Sequence, residues 1–229
     1  MSLLAALVGP LQYKKDKDNK DILTDKLSGN HQVMMEWEKP YMEALVKKLR
    51  PSGDVLEIGF GLGYSSNAIQ KYNIKTHTII ECDPEVLKKL RTWAPRQRHK
   101  VRIIEGAWQE KLPLMHRRFD SFFIDDYPSA AYPDPYDTRF FNFYYQIMKN
   151  NVNKNARFTW FSSRPLTWPC TTWTKWDCEE YNINVPENVN YIDDVKAKEL
   201  YLPLITFKYS SPLDIHPIIL DKFIKANES

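Results

Sequence analysis

From Asp54 onward the chain alternates two kinds of patterning. Short β-favouring runs, apolar with little polar alternation, fall at residues 55–58, 76–80, 101–104, 119–124 and 156–161. Between them, residues 65–71, 85–93 and 139–149 carry apolar positions at helical spacing. Near-continuous apolar strands are buried on both faces, and helical connections between them impose parallel pairing. The pattern therefore predicts an α/β doubly wound sheet with helices on both sides. Residues 200–207 predict a further strand and 215–225 a terminal helix, whereas 165–181, rich in Trp, Cys and Thr, take no assignment. Residues 1–30 combine a short apolar patch, a charged stretch and a Ser28-Gly29-Asn30 break, and read as a loosely held arm or lid. No Pro/Gly/Ser linker divides the remainder, so residues 31–212 are expected to form one domain, with 213–229 an extension packed on it or trailing it.

Met34, Trp37, Glu38, Tyr41 and Met42 recur at the spacing of one helix face, with Glu38 in the middle of the apolar stripe. A carboxylate there is costly to bury unless it meets a cation or several donors. Either the face lines a polar pocket, or Pro40 occupies the first turn of a new helix and Glu38 is a cap-like residue before it.

Composition changes the picture in one respect. The 229 residues, 43% hydrophobic and 14% aromatic, can bury a sizeable core, yet only seven are glycine, well under the usual roughly 7%. Four of these, Gly53, Gly59, Gly61 and Gly63, share one short window. The net charge of +3 comes from interleaved charges, as in Lys14-Lys15-Asp16-Lys17-Asp18, which gives little support to polyanion binding. Cys82, Cys170 and Cys178 have neither disulfide-framework nor zinc spacing, so no metal is expected. No apolar run has spanning length, and the expected setting is cytoplasmic, away from membranes and nucleic acid.

Residues 55–58 run directly into Gly59-Phe60-Gly61-Leu62-Gly63 and then a helix. Glycines at the carboxyl end of a central strand admit positive φ and let a ligand approach the backbone. Tyr64 stands where a dinucleotide fingerprint needs its third glycine, which disfavours a pyrophosphate. The second strand closes on Glu81, placed to accept ribose hydroxyls. A nucleoside without pyrophosphate points to S-adenosylmethionine; the plain alternative is a glycine-rich turn beside a surface glutamate. Asp125 and Asp126 end the strand at 119–124, on the same sheet edge. If they do not simply solvate in a loop, they favour a cationic substrate beside the sulfonium.

These residues resemble the guanidinoacetate N-methyltransferase family and its fungal relative, the protein-arginine δ-N-methyltransferases. The matching segments are 33–42, 57–61, 79–82, 93–101, 106–108, 125–128, 141–143 and 201–203, in order along the chain. The resemblance implies a Rossmann-like class I methyltransferase, with a seven-stranded, mostly parallel sheet ending in an antiparallel hairpin. It implies cofactor contacts from Met34, Met42, Glu57, Gly59, Phe60, Gly61, Gly63, Glu81, Cys82, Ala107, Trp108 and Asp125. Glu38 and Asp125 match the carboxylates that hold the guanidino group, with Asp126, Ser163 and Arg164 as further substrate contacts. The family's N-terminal tryptophan over the cofactor has no counterpart, Tyr13 being the available substitute; Asp126 replaces a threonine, and residues 160–181 do not match.

A guanidinium carries no nucleophilic lone pair. Glu38 and Asp125 are therefore assigned as the clamp and Asp125 as proton acceptor, on a small guanidino compound such as guanidinoacetate. The alternatives are an arginine side chain on a protein, or a non-catalytic cofactor-binding homologue acting through protein contacts. Oligomeric state is not legible.

Overall fold

The computed structural model describes residues 10–26, 31–126, 136–163, 172–186, 189 and 199–211. Strands β1 (Leu11–Lys15), β2 (Asp21–Asp25) and β3 (His31–Met35) form a small antiparallel sheet. Asp16 closes its first turn by accepting from the amides of Asp18 and Lys20, with Asn19 at positive φ. The stretch read as an arm thus contains an ordered hairpin.

Strand β3 gives way to a single 3-10 turn at Glu36–Glu38 and then to α1 (Lys39–Leu49), with Pro40 in its first turn. The single helix face through Met34 and Met42 is therefore not formed. Met34 lies on a strand, and proline placed where its missing N–H costs nothing starts the helix five residues later. Tyr41, Met42, Leu45, Val46 and Leu49 are fully buried along α1. At about 1.5–3 kcal/mol for each large apolar side chain, they lock the helix and the turn before it onto the sheet. Arg50 ends α1 in the left-handed region, and Pro51 follows.

The main sheet follows from β4 (Gly53–Ile58), β5 (Ile74–Glu81), β6 (Lys100–Glu105), β7 (Phe119–Ile124), β8 (Val152–Trp160), β9 (Thr174–Asn182) and β10 (Glu199–Phe207). Their spatial order is β6-β5-β4-β7-β8-β10-β9; β4 to β8 are parallel, and β10 runs antiparallel to both β8 and β9. The expected seven-stranded sheet with its antiparallel end is present. The unassigned 165–181 region supplies strand β9, while the proposed helix at 215–225 and the 212/213 boundary lie outside the described residues.

Helices α2 (Tyr64–Ile69), α3 (Pro84–Trp93), α4 (Trp108–Lys111) and α5 (Tyr136–Asn150) complete the layers. Alternation along the strands sorts the core into two. Val55, Ile79 and Phe123 cluster with α1, α2, α3 and the small sheet, whereas Leu56, Ile58, Ile80, Phe122 and Ile124 cluster with α4 and α5. Successive strands lead outward from β4 to β6 and then return to β7 on its other side, so the chain reverses direction between β4 and β7. Open α/β sheets bind ligands at such a switch point.

Candidate active site

The loop after β4 occupies that switch point. Gly59, Gly61 and Gly63 have φ of 81°, 49° and 83°. A Cβ on Gly59 would stand 2.4 Å from the Asp125 carbonyl oxygen, and one on Gly61 would stand 2.8 Å from Met34 Sδ. Glycine is thus required by the way the loop threads between β7 and β3, before any ligand is considered. Met34 Sδ also accepts from Leu62 N at 3.3 Å.

Two buried carboxylates hold this loop. Glu57, fully buried on β4, accepts from the hydroxyls of Ser65 and Ser66 on the first turn of α2, each at 2.5 Å. His77 Nε2 lies 2.8 Å from the same carboxylate but off the line of its N–H. Glu81 accepts from Phe60 N at 2.9 Å, Cys82 N at 2.7 Å and Asp83 N at 2.8 Å. A carboxylate has about four acceptor positions, so Glu81 keeps one for a further donor. Burial pushes its carboxyl up to about 7 against the pull of these three amides. Burial, followed by the Glu81, Asp126 and Asp83 charges, likewise raises the Cys82 thiol.

The small sheet closes over the loop. Tyr13 on β1 donates its hydroxyl to the Gly61 carbonyl at 2.8 Å, with Lys89 over its ring at 4.3 Å. Leu11 N donates to Asp83, which also accepts from Glu85 N and Val86 N as the N-cap of α3. One aspartate therefore ties the hairpin to the start of α3, beside the glycine loop. The Asp-Pro pair before α3 was a legible capping signal for Asp83; nothing in the sequence pointed to its second partner or to the Ser65 and Ser66 latch.

Asp125 and Asp126 follow β7, both half-buried. Asp125 N donates to the Ile58 carbonyl, which keeps the strand pairing intact up to the glycine loop. Burial first, then the charges of Asp126 and Glu57, push the Asp125 carboxyl up to about 7. Asp126 accepts from Trp108 Nε1 at 2.8 Å, and the buried Trp108 ring stands edge-on to Phe143. Ala107, extended, is the N-cap residue of α4, and the preceding Gly106 N donates to the Glu81 carbonyl.

Glu38 is buried, and its Oε1 accepts from Met35 N at 2.7 Å, so it folds back on β3 instead of capping α1. Its helix is fastened to β10 and to the residues just after β8: Tyr41 donates to the Tyr201 carbonyl at 2.6 Å and accepts from Ser162 N at 3.0 Å. Phe161 N in turn donates to the Ile124 carbonyl, beside Asp125. Through this chain of contacts the Glu38 turn and the Asp125 strand end share one rim of the sheet. Ser163 is half-buried on the same rim. Met42 lies inside the α1 core, and Arg164 falls outside the described residues. The Tyr64 hydroxyl, buried at the start of α2, has no partner among the described residues.

The family model for guanidinoacetate N-methyltransferase matches residues 12–169. Protein arginine N-methyltransferase 2 of Candida glabrata is 35% identical over 147 residues, covering 58% of this chain and 34% of that protein. Its Saccharomyces cerevisiae counterpart is 34% identical over 166 residues, 66% of this chain and 36% of that one. The chain thus spans about a third of the length of these curated relatives. Spermidine synthase from Thermotoga maritima superposes with a TM-score of 0.56 at 15% identity, covering 89% of this chain and 75% of the other. An O-methyltransferase from Bacillus cereus in complex with SAH gives 0.51 at 11% identity, over 76% and 82%.

Proposed function

Because the chain belongs to the guanidinoacetate N-methyltransferase family, we propose that it methylates a nitrogen of a guanidino group using S-adenosylmethionine. The observation that carries this reading is the set of carboxylates gathered on one rim. Glu38 is buried, while Asp125 and Glu81 are held at about 7 by burial against acidic neighbours. Such a site gains most by taking in cations, and both a sulfonium and a guanidinium are cations.

The residues fit the cofactor. The free acceptor position of Glu81 suits a ribose hydroxyl, and the backbone of Gly59, Phe60, Gly61 and Gly63 gives close approach. Met34, Cys82, Ala107 and Trp108 form the surrounding wall, while Glu57 and Met42 support it from beneath. S-adenosylmethionine supplies a methyl group activated by the positive sulfur. Glu38, fixed by Met35 N, and Asp125 orient the guanidino group; Asp125 takes the proton that the nitrogen loses as it attacks. A carboxyl poised near neutrality is well matched to that transfer. Asp126 accepts from Trp108 and contributes negative potential, with Ser163 and Arg164 as the further substrate contacts of this reading.

The substrate in this reading is a small guanidino compound, guanidinoacetate or a relative of it. The 34–35% identity to the fungal protein arginine N-methyltransferases favours a second reading, an arginine side chain on a protein. The two described free thiols, Cys82 and Cys178, agree with a reducing cytoplasmic setting, and no helix among the described residues is long and apolar enough to cross a membrane. Methyl transfer to guanidinoacetate, free arginine, other guanidino compounds and an arginine peptide, measured in parallel, tests both readings. Glu38→Gln and Asp125→Asn should each cut turnover by orders of magnitude, with cofactor affinity little changed for Glu38→Gln. Near-normal turnover in both variants overturns the assignment, and silence on every substrate with S-adenosylmethionine still bound replaces it with a binding module.

A further inference from the structure

Away from the sheet rim, a groove of about 580 Å3 lies between α1 and the β9–β10 hairpin. Its floor is apolar, from Ala44, Leu202 and Leu204, and its walls are charged. Lys47, Lys48, Arg50, Arg157 and Lys175 line it against only Asp177 and Glu179, so five cations less two anions leave +3. That equals the formal net charge of the whole chain, and the remaining charges sum to zero.

Both acids are already engaged. Lys48 reaches Asp177 at 2.6 Å and also pairs with Glu179. Arg157 donates to the Lys48 carbonyl at 2.7 Å, near the end of α1. Lys47, Arg50 and Lys175 make no ion pair among the described residues. Burial, and after it the neighbouring Arg50 charge, weaken the hold of Arg157 on its proton, against the pull of Asp177. A fold that gathers four cations beyond its single three-way ion pair, over an apolar floor, presents a site for an anionic partner.

The shape of the groove selects the class of partner. Its cationic end sits at the foot of α1, and its other end at Tyr181, whose hydroxyl donates to the Pro40 carbonyl and whose ring leans on Tyr41. Pro40 is two residues from Glu38. The 11 residues of α1 separate the two ends by about 16 Å at 1.5 Å per residue. An extended chain covers that distance in about five residues. A phosphate ion would use one end and leave the apolar floor unused, and Tyr181, already leaning on Tyr41, is a single ring where a nucleic-acid strand needs successive stacking faces.

We propose that this groove docks an acidic polypeptide segment, placed to hold a protein substrate about five residues from the arginine presented to Glu38. The inference rests on the protein-arginine form of the function proposed above. Binding is read by fluorescence anisotropy of a labelled oligoglutamate peptide, with inorganic phosphate and a short RNA as competitors. The charge-reversal pair Arg50→Glu and Lys175→Glu should weaken peptide binding at least about tenfold, and rising salt should weaken it in the wild type. Lys47→Glu, a single change on exposed helix surface, should weaken it in the same direction, and unchanged melting temperatures show that folding is intact. Undiminished binding in both variants, or displacement of the peptide by RNA at lower concentrations than by unlabelled oligoglutamate, overturns the proposal. In methyl transfer, the double variant should raise KM for an arginine peptide carrying the acidic run while leaving kcat, and the kinetics on guanidinoacetate, unchanged. An unchanged KM overturns the placement beside Glu38. Failure of the wild type to methylate any arginine peptide removes the protein-arginine reading instead, and the anisotropy result still decides the groove.

Discussion

Replacing Asp125 by asparagine should stabilise the ligand-free protein while destroying its activity, and the stabilisation should grow with pH. The Asp125 carboxyl is raised from an ordinary 3.8 to about 7 by burial and by the Asp126 and Glu57 charges. Between those values the native state holds a proton that the unfolded chain has released. Native stability therefore falls as pH rises, by the linkage between proton binding and folding. A shift of about three units at 1.36 kcal/mol each sets a ceiling of about 4 kcal/mol above neutrality. Solvent at a half-buried carboxylate screens part of this, leaving about 2 kcal/mol. For a chain of this length that corresponds to a melting temperature higher by about 6 °C in the variant. The neutral amide keeps the shape of the side chain but never ionises, so its advantage should be slight near about pH 4 and full near about pH 8. The assay is thermal unfolding of wild type and Asp125→Asn without ligand, followed by circular dichroism across that range. Glu81 titrates in both proteins and cancels in the difference. A gap that stays constant with pH, or a variant that melts lower at the alkaline end, would refute the reasoning.

Three further outcomes follow from the way the loop is held. Tyr13→Phe removes one hydrogen bond to the Gly61 carbonyl, worth about 1 kcal/mol, and should weaken S-adenosylmethionine binding about fivefold by calorimetry. No change there would mean that the hairpin does not brace the loop. Gly61→Ala forces a side chain into φ of 49° and within 2.8 Å of Met34 Sδ. The backbone strain alone is about 1–2 kcal/mol, so cofactor affinity should fall about tenfold or more; an unaltered affinity would show that the loop can rethread. Ser66→Ala leaves the buried Glu57 one donor short and should cost about 1–3 kcal/mol in urea unfolding, whereas an unchanged midpoint would mean that water replaces the hydroxyl.

Much of the fold was legible because its strands declare themselves locally. Residues 55–58 and 119–124 are mostly apolar, and each forms a central parallel strand with buried side chains on both faces, while 101–104 forms the half-exposed parallel edge strand β6. Strand β9 was illegible for the opposite physical reason. It is an edge strand reading Thr-Lys-Trp-Asp-Cys-Glu-Glu-Tyr-Asn, exposed along much of its length, and its conformation is set by pairing with β10 and not by its own composition. Of the two readings open for the stretch around Met34, the one in which Pro40 starts a new helix holds; a strand, a 3-10 turn and a helix happen to reproduce helical spacing. Pro40 was the local sign that the register breaks.

At the candidate site, the sequence offers candidate residues but not the partners that hold them. The glycine window follows strand β4, and its glycines are demanded first by the Asp125 carbonyl and by Met34, contacts that join residues far apart in the chain. The charge pattern is the strongest case. Read in order, the lysines and arginines are interleaved with acids, and such a chain gives little support to polyanion binding. Folding undoes that mixing. The turn of α1 brings Lys47 and Arg50 to the foot of the helix, the period of two along β8 and β9 aims Arg157 and Lys175 at the same groove, and Lys48 draws both nearby acids onto itself. Interleaving in sequence is therefore no guide to the surface field, because secondary-structure periods sort charges by face before any partner meets them.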